Sequence, residues 1–229
     1  MGVSERLSIS FADADRQIQG VAIAGAGTLL KVARELITAP PPQLGVDGPD
    51  WRLRAGDACE LTLGQLGSAD ADGLMLARAT GTVGSQALDG LAILDRAPET
   101  GAGVALERSL AILFDAQLAF ALRAKRPSGA GGHGEEQLAA VVFRGDPPQA
   151  VAIEKPRLST TYDAGGRLAH AGLELWEGEE SELPARIGGE ALASGELSHP
   201  DGARAQVTFV AWHHEGRRGL GSYCIATPA

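Results

Sequence analysis

The chain has 229 residues, a length that suits one large β domain or two small fused domains. Its 29 acidic residues outnumber its 20 basic ones, for a formal charge of -9, and no cluster of Lys and Arg interleaves with aromatic residues. This charge pattern excludes nucleic acid as an expected partner. No apolar run approaches the roughly 20 residues of a membrane-spanning helix, so we expect no transmembrane segment.

Residues 1–11 lack the apolar stretch of a secretory signal, which predicts a cytoplasmic protein. Cys59 and Cys224 lie far apart and have neither metal-type nor redox-type spacing. We therefore expect two reduced thiols, with a disulfide as the alternative, and no metal or other cofactor.

Short alternating apolar segments, separated by turn residues, run along the whole chain. This rhythm is typical of an antiparallel sheet, so the sequence predicts an all-β protein with few short helices. Aromatic residues make up only 4% of the chain, and the core must consist mainly of Ala, Val, Leu and Ile. The clearest segments are residues 7–11, 20–24, 74–83, 138–143, 150–153, 157–162, 168–176, 207–212 and 220–225.

The glycine-rich stretch from Val21 to Lys31 follows a strand-like run and partly resembles a dinucleotide-binding loop. Leu30 stands where that loop needs its third glycine, and no strand–helix alternation follows. A glycine-rich bend between two strands is the better interpretation. The overlapping segment from Leu29 to Ile37 also admits a short helix.

Two further segments shape the predicted organisation. The prolines of residues 39–49 favour an extended surface connection, and the glycines of residues 128–134 indicate a linker or mobile loop. The run from Leu110 to Leu122 has helical spacing and good helix propensity. It also divides into two strands around Asp115, and we favour this hairpin because the neighbouring segments are strands.

The chain shows a weak internal repeat. Residues 6–11 (RLSISF) match residues 157–162 (RLSTTY), and residues 90–98 can be aligned with residues 219–228 with one insertion. Chance similarity remains the rival explanation. If the repeat is real, the chain contains an N-terminal β half at 1–98, connecting strands at 99–156 and a C-terminal β half at 157–229, unless these form one continuous domain.

No nucleophile elbow is present, and two His/Glu clusters are better explained as solvated turn residues than as metal sites. The segment from Leu168 to Trp176 is more informative, because a two-residue period places His170, Glu174 and Trp176 on one face and apolar residues on the other. That mixed face is either a solvent-exposed surface or part of a ligand pocket. A buried Glu174 in such a pocket could donate a proton.

The C-terminal half resembles lipocalin-like proteins of the hydroxyneurosporene synthase (carotenoid hydratase) superfamily, which include bacterial members with two β-barrel-like halves. The residues that carry this resemblance are Arg157–Asp163, Ala171–Trp176 and Trp212–Tyr223. The resemblance covers chiefly residues 130–229. It implies a lipocalin-like barrel or two related half-barrels around an apolar pocket, and in some relatives acid-initiated hydration or cyclisation of isoprenoid double bonds.

Three hypotheses follow and stay open at this point. The first is a protein that encloses a small hydrophobic, isoprenoid- or lipid-like molecule. The second is a lyase or isomerase with Glu174 or Glu135 as the catalytic proton donor. The third is a β-sandwich interaction protein without a pocket. Expected ligand-binding residues are His133, His170, Trp176, Trp212, His213 and Tyr223, and a homodimer is an open alternative to a monomer.

The chain is shorter than full two-barrel relatives, which suggests that one half is incomplete.

Overall fold

The computed structural model describes residues 5–67, 73–98, 103–176 and 184–228, which form eighteen β-strands and one short 3₁₀ helix at His133–Glu135. The first nine strands are β1 (Glu5–Asp13), β2 (Ile18–Ile23), β3 (Gly27–Val32), β4 (Glu35–Ala39), β5 (Gln43–Asp47), β6 (Asp50–Ala55), β7 (Cys59–Gln65), β8 (Leu74–Val83) and β9 (Gln86–Pro98). The other nine are β10 (Val104–Asp115), β11 (Leu118–Pro127), β12 (Gln137–Arg144), β13 (Gln149–Ile153), β14 (Lys155–Tyr162), β15 (Leu168–Trp176), β16 (Ala185–Ser198), β17 (Arg204–His214) and β18 (Arg217–Thr227). The all-β prediction is confirmed.

Each set of nine strands forms one antiparallel sheet, and the two sheets have the same topology. The first has the order β4-β3-β2-β1-β9-β8-β7-β6-β5, and the second has β13-β12-β11-β10-β18-β17-β16-β15-β14. Adding nine to each strand number of the first sheet gives the second. The protein is therefore built from two curled half-barrels of one design, and the expectation of an incomplete half was wrong.

Only one of the two sequence matches that suggested an internal repeat joins equivalent strands of the two sheets. Residues 90–98 and 219–228 do fall on equivalent strands, β9 and β18. Residues 6–11 lie on the central strand β1, whereas residues 157–162 lie on β14, which is at the edge of its sheet. The match between residues 6–11 and 157–162 was therefore wrong as evidence for a repeat. A short alternating pattern of this kind recurs in any half-buried strand. The division at residues 98 and 156 stays a prediction; the strands between Val104 and Ile153 pair within the second sheet.

The structure resolves the two ambiguous segments in favour of strands. The predicted hairpin from Leu110 to Leu122 is confirmed, since β10 and β11 pair around a turn that begins at Asp115. The helix considered for Leu29 to Ile37 was wrong: β3 and β4 pair there, and Leu30 lies opposite Ile37. Burial of alternate apolar residues in the sheet outweighs local helix propensity.

Other connections follow from their turn residues. The predicted glycine-rich bend is confirmed as the turn between β2 and β3. The prolines at 40–42 join the edge strands β4 and β5, and the glycine-rich segment 128–134 joins the neighbouring strands β11 and β12. Glu215 and Gly216 both have positive φ in the β17–β18 turn, the conformation that a two-residue hairpin turn needs.

Each half-barrel has its own apolar core, built by the alternation of side chains along the strands. Ile9, Phe11 and Leu30 belong to the core of the first half, and Ile112, Leu173 and Tyr223 belong to that of the second. The opposite faces of the central strands are buried as well, because the two sheets pack on each other there. We call this contact between the half-barrels the seam. No helix among the described residues is long and apolar enough to span a membrane.

Candidate ligand cavity at the seam

Apolar residues hold the seam together at two places. Leu76 and Ile93 of the first half pack with Leu113 and Phe143 of the second. A second cluster joins Val21 and Leu29 to residues of β16, β17 and β18, with Leu197, Val207, Phe209 and Cys224 among its members. Burial at these clusters fixes the relative positions of the two sheets.

Polar residues lie between these apolar clusters. On β1 the core face carries Ile9 and Phe11, so the alternate residues Arg6, Ser8 and Ser10 face the seam. The hydroxyls of Ser10 and Ser222 are 2.8 Å apart across the seam. The fully buried Gln19 donates to the main-chain carbonyl of Gly221 at 2.8 Å. These contacts tie the halves together by hydrogen bonds between their central strands.

A cavity of about 280 Å³ opens at this polar part of the seam. Both halves line it. Its apolar wall contains small residues such as Val21, Ala203 and Ala226, and its polar wall contains Arg6, Ser8, Glu107, Ser109, His199 and Asp201. An apolar wall with a few convergent polar groups is the usual character of a small-molecule site.

An ion pair between the halves lies in the polar wall. The guanidinium of Arg6 donates to both carboxylate oxygens of Glu107, at 2.6 and 3.0 Å. The Glu107 side chain is only 2% exposed. Burial acts to lower the pKa of Arg6, but the Glu107 carboxylate outweighs it and raises that pKa. The pair is bidentate, the strongest geometry for an arginine and a carboxylate.

The thiol of Cys224 also lines the cavity, beside the hydroxyls of Ser109 and Ser222. Burial raises the pKa of Cys224 to about 12, although the neighbouring hydroxyls and Arg6 oppose this shift. A thiol with such a pKa is protonated at neutral pH and is a poor nucleophile. Cys224 therefore contributes surface to the cavity rather than a reactive thiolate.

A histidine–aspartate pair lies in the wall on the β16–β17 turn. Nδ1 of His199 is 2.8 Å from Oδ1 of Asp201. Hydrogen bonds, first from the backbone N–H of Ala203 and then from His199, lower the pKa of Asp201 despite the opposing effect of desolvation. The backbone N–H of Asp201 also approaches Nδ1, at the longer distance of 3.4 Å. In a neutral imidazole the closer carboxylate favours the tautomer with the proton on Nδ1 and Nε2 as an acceptor.

Gly25 allows His199 to take this place. A methyl group added at Gly25 would lie 2.4 Å from Nε2 of His199, and the glycine has a φ of +77°. The two hairpin turns, β2–β3 and β16–β17, therefore touch at the cavity. Among the described residues, neither Nε2 of His199 nor the hydroxyl of Ser8 has a hydrogen-bond partner. Ser8 and His199 both line the cavity.

Solved structures share this architecture. Kievitone hydratase from Nectria haematococca aligns with 99% of this chain and 89% of its own, with a TM-score of 0.59 and 12% identity. CghA, crystallised with Sch210972, aligns over 98% and 88%, with a TM-score of 0.61 and 11% identity. A candidate AttH protein (NE1406) from Nitrosomonas europaea aligns over 97% and 91%, with a TM-score of 0.61 and 12% identity.

This chain has the fold of these proteins. The lipocalin-like architecture implied by the sequence resemblance is thus confirmed at the level of fold. No protein-family model and no curated protein matches the sequence. At 11% to 12% identity, these similarities establish the fold of this chain but do not identify a ligand for it.

The structure places the residues singled out in the sequence elsewhere. The strand from Leu168 to Trp176 is confirmed as β15, with His170, Glu174 and Trp176 on the face opposite the buried Leu173 and Leu175. That face is the outside of the second half. Glu174 pairs there with Arg186 at 3.3 Å, and the ring of Trp176 lies under the Arg157 guanidinium at 4.8 Å.

His213 borders the same outer groove as Glu174, so the structure brings these two together. Trp212 and Tyr223 are instead packed inside the second half, each 1% exposed, and are separated from Glu174 and Trp176 by the sheet. Glu135 is exposed in the 3₁₀ helix and accepts from the backbone N–H of Gly131. His133 begins that helix, and its side chain lies outside the described residues.

Of the eight residues proposed from the sequence, the seven with described side chains do not line the seam cavity. Sequence reasoning missed Arg6, Glu107, His199 and Asp201. Only the period of β1 offered a signal, since Arg6, Ser8 and Ser10 alternate with Leu7, Ile9 and Phe11. A strand that is polar on one face normally exposes that face to solvent, and nothing local indicates that a second sheet covers it.

Proposed function

We propose that this protein binds a small amphipathic molecule in the seam cavity. The observation that carries the proposal is the cavity itself, which both halves line with a mixture of apolar and polar residues. Its volume of about 280 Å³ is close to the lower end of the roughly 300–1,000 Å³ typical of ligand pockets, so the ligand is small. Two proteins with a similar fold, a kievitone hydratase and CghA crystallised with Sch210972, support a role that involves a small molecule.

The test is calorimetric titration with short isoprenoid alcohols such as geraniol, before and after the cavity is filled. Ala226 lines the cavity, and Ala226→Phe would occupy much of its volume. Ala139→Phe is the matched control, because it adds the same ring at an exposed position of β12. We expect Ala226→Phe to weaken binding by roughly 100-fold, or about 2.7 kcal/mol, and Ala139→Phe to leave it unchanged. Equal affinities for all three proteins would contradict the proposal.

One observation favours a second function, a lyase that adds water to a conjugated carbonyl compound. The His199–Asp201 pair presents an unpartnered acceptor, Nε2, beside the cavity. Nε2 would take a proton from water while the water oxygen bonds to the β-carbon of the substrate. The imidazolium would then return a proton to the α-carbon, so that one water is added across the double bond. Asp201 would stabilise the imidazolium between these steps.

Citral is a suitable probe for this second function, because hydration removes its conjugated ultraviolet absorbance. We expect the protein to consume citral and His199→Gln to abolish the reaction while geraniol still binds. Glu174→Gln, on the outer face of the second half, should retain the rate. Reaction at an unchanged rate in His199→Gln would contradict the assigned role, and binding without any reaction would leave the protein as a carrier.

A further inference from the structure

The charges that line the seam cavity cancel. Two arginines, Arg6 and Arg204, and two carboxylates, Glu107 and Asp201, contribute to its wall. Arg6 already holds both oxygens of Glu107, and its side chain is 21% exposed. A carboxylate ligand that approaches Arg6 would therefore meet the buried negative charge of Glu107 at close range, where the surrounding protein screens poorly.

Arg204 lies 3.8 Å from Glu196, and its side chain is 71% exposed, so water screens its charge. The other groups left for a ligand are of a different kind. The Ser8 hydroxyl both donates and accepts, and Nε2 of His199 accepts when its Nδ1 proton is shared with Asp201. An alcohol, which also donates and accepts through one oxygen, satisfies both groups. A carboxylate only accepts, and it would bring a further negative charge beside that of Glu107.

We propose that the Arg6–Glu107 pair makes the seam cavity selective for neutral, hydroxyl-bearing amphipathic molecules over carboxylates of the same carbon skeleton. This inference rests on the proposed binding function and specifies its ligand class. Glu107 acts as the specificity-determining residue, because its charge occupies the guanidinium that an acid would otherwise use. The protein is thereby set apart from a fatty-acid carrier, in which a free arginine would bind the head group.

The test compares geraniol with geranic acid, at a pH where the acid is ionised, by calorimetry on the wild-type protein. We expect geraniol to bind at least about tenfold more tightly. Glu107→Gln should remove the carboxylate that holds both Arg6 nitrogens and raise the affinity for the acid relative to that for geraniol by roughly tenfold or more, with both ligands measured on the same variant so that a general loss at the cavity cancels in the ratio. In the double variant Arg6→Gln/Glu107→Gln, the ratio of acid affinity to geraniol affinity should fall back toward the wild-type ratio. Glu174→Gln removes one negative charge away from the cavity and serves as the matched control.

Thermal unfolding checks that each variant is folded, and the wild-type comparison alone decides the inference if Glu107→Gln does not fold. Equal or tighter binding of geranic acid to the wild type would overturn the selectivity while leaving the cavity as a binding site. An acid affinity that rises equally in Glu107→Gln and Glu174→Gln would overturn the role of Glu107. Failure of both compounds to bind would overturn the proposed function and this inference with it.

Discussion

The two half-barrels share one topology but differ in what they bury. The core of the first half is mainly apolar, with Leu30, Leu53 and Leu63 fully buried, and it also buries the hydroxyl of Thr28. The second half buries Arg108 and Glu136 next to its apolar core, and both side chains are almost completely inaccessible. Among the described residues, the core of the first half contains no equivalent ion pair, so this topology does not require a charged network in the core.

The network extends across the interior of the second half. Arg108 pairs with Glu136, which also accepts from Arg126 at 2.7 Å. Arg108 contacts the hydroxyl of Tyr223, and that hydroxyl lies 2.9 Å from the hydroxyl of Tyr162 on the edge strand β14. Burial, with a contribution from Tyr162, raises the pKa of Tyr223, so the phenol stays protonated at neutral pH. Charge and hydrogen bonds thus join strands that the first half joins by apolar packing.

Removal of the shared carboxylate should have the largest effect. Glu136→Ala would leave the buried Arg108 without its anionic partner, and we expect the free energy of unfolding to fall by about 3–5 kcal/mol. Glu60→Ala, at an exposed position of β7 in the first half, should change it by less than about 0.5 kcal/mol. Urea unfolding measures both. A loss below about 1 kcal/mol for Glu136→Ala would show that the buried pair is not part of what stabilises the second half.

The tyrosine pair should have an intermediate effect. Tyr223→Phe removes a buried hydroxyl that meets both Tyr162 and Arg108, and we expect a loss of about 1–2 kcal/mol. Tyr162→Phe should cost less, because Tyr162 is partly exposed and its partner keeps the Arg108 contact. The double variant should show coupling of about 0.5 kcal/mol or more. Strict additivity would mean that the two hydroxyls do not interact in solution.

Equivalent turns of the two halves offer the smallest contrast. Asp13, 2% exposed, accepts from the backbone N–H groups of Arg16 and Asp89, at 3.0 Å each, and from the Arg16 guanidinium. Burial acts to raise the pKa of Asp13, but these donors hold it below its ordinary value. A lowered folded-state pKa stabilises the protein above the unfolded-state value of about 3.9, and this contribution is lost as the pH falls through the folded-state pKa.

Asp13→Asn should therefore lower stability by about 1 kcal/mol at neutral pH, with a difference that shrinks as the pH falls below about 4. Asp115 occupies the corresponding β10–β11 turn, but its side chain is 48% exposed. Asp115→Asn is the matched substitution in the second half and should have the smaller effect. Denaturant unfolding of both variants and the wild type, from neutral pH to below about pH 4, measures these effects. A stability difference between Asp13→Asn and the wild type that does not change with pH would contradict the account.

Sequence information was sufficient for the fold because the relevant signals are local. Alternation of apolar residues and turn chemistry specify hairpins such as Leu110 to Leu122 and the pairing of β17 with β18. The scarce aromatic residues led away from the cavity. Trp212 and Tyr223 fill the core of the second half, and Trp176 covers its outer face.

The cavity residues could not be found in the same way, because they meet only through packing of the two sheets. Arg6 and Glu107 are 101 positions apart and lie on different sheets. His199 is followed by Pro200, Asp201 and Gly202, so the local sequence indicates only a turn. Its position against Gly25 depends on the contact between two hairpins from different halves. Long-range placement of this kind leaves no periodic signal in the sequence.

The two cysteines give the most direct test of the cavity, since each belongs to a different environment. Cys59 lies in the core of the first half and Cys224 in the cavity wall. Burial raises the pKa of both thiols to about 12, so differences in their reactivity report access rather than ionisation. With methyl methanethiolsulfonate, we expect Cys224 to be modified well before Cys59. Geraniol should slow the modification of Cys224 and leave that of Cys59 unchanged. Equal rates for both thiols, unaffected by geraniol, would contradict an accessible ligand cavity at the seam.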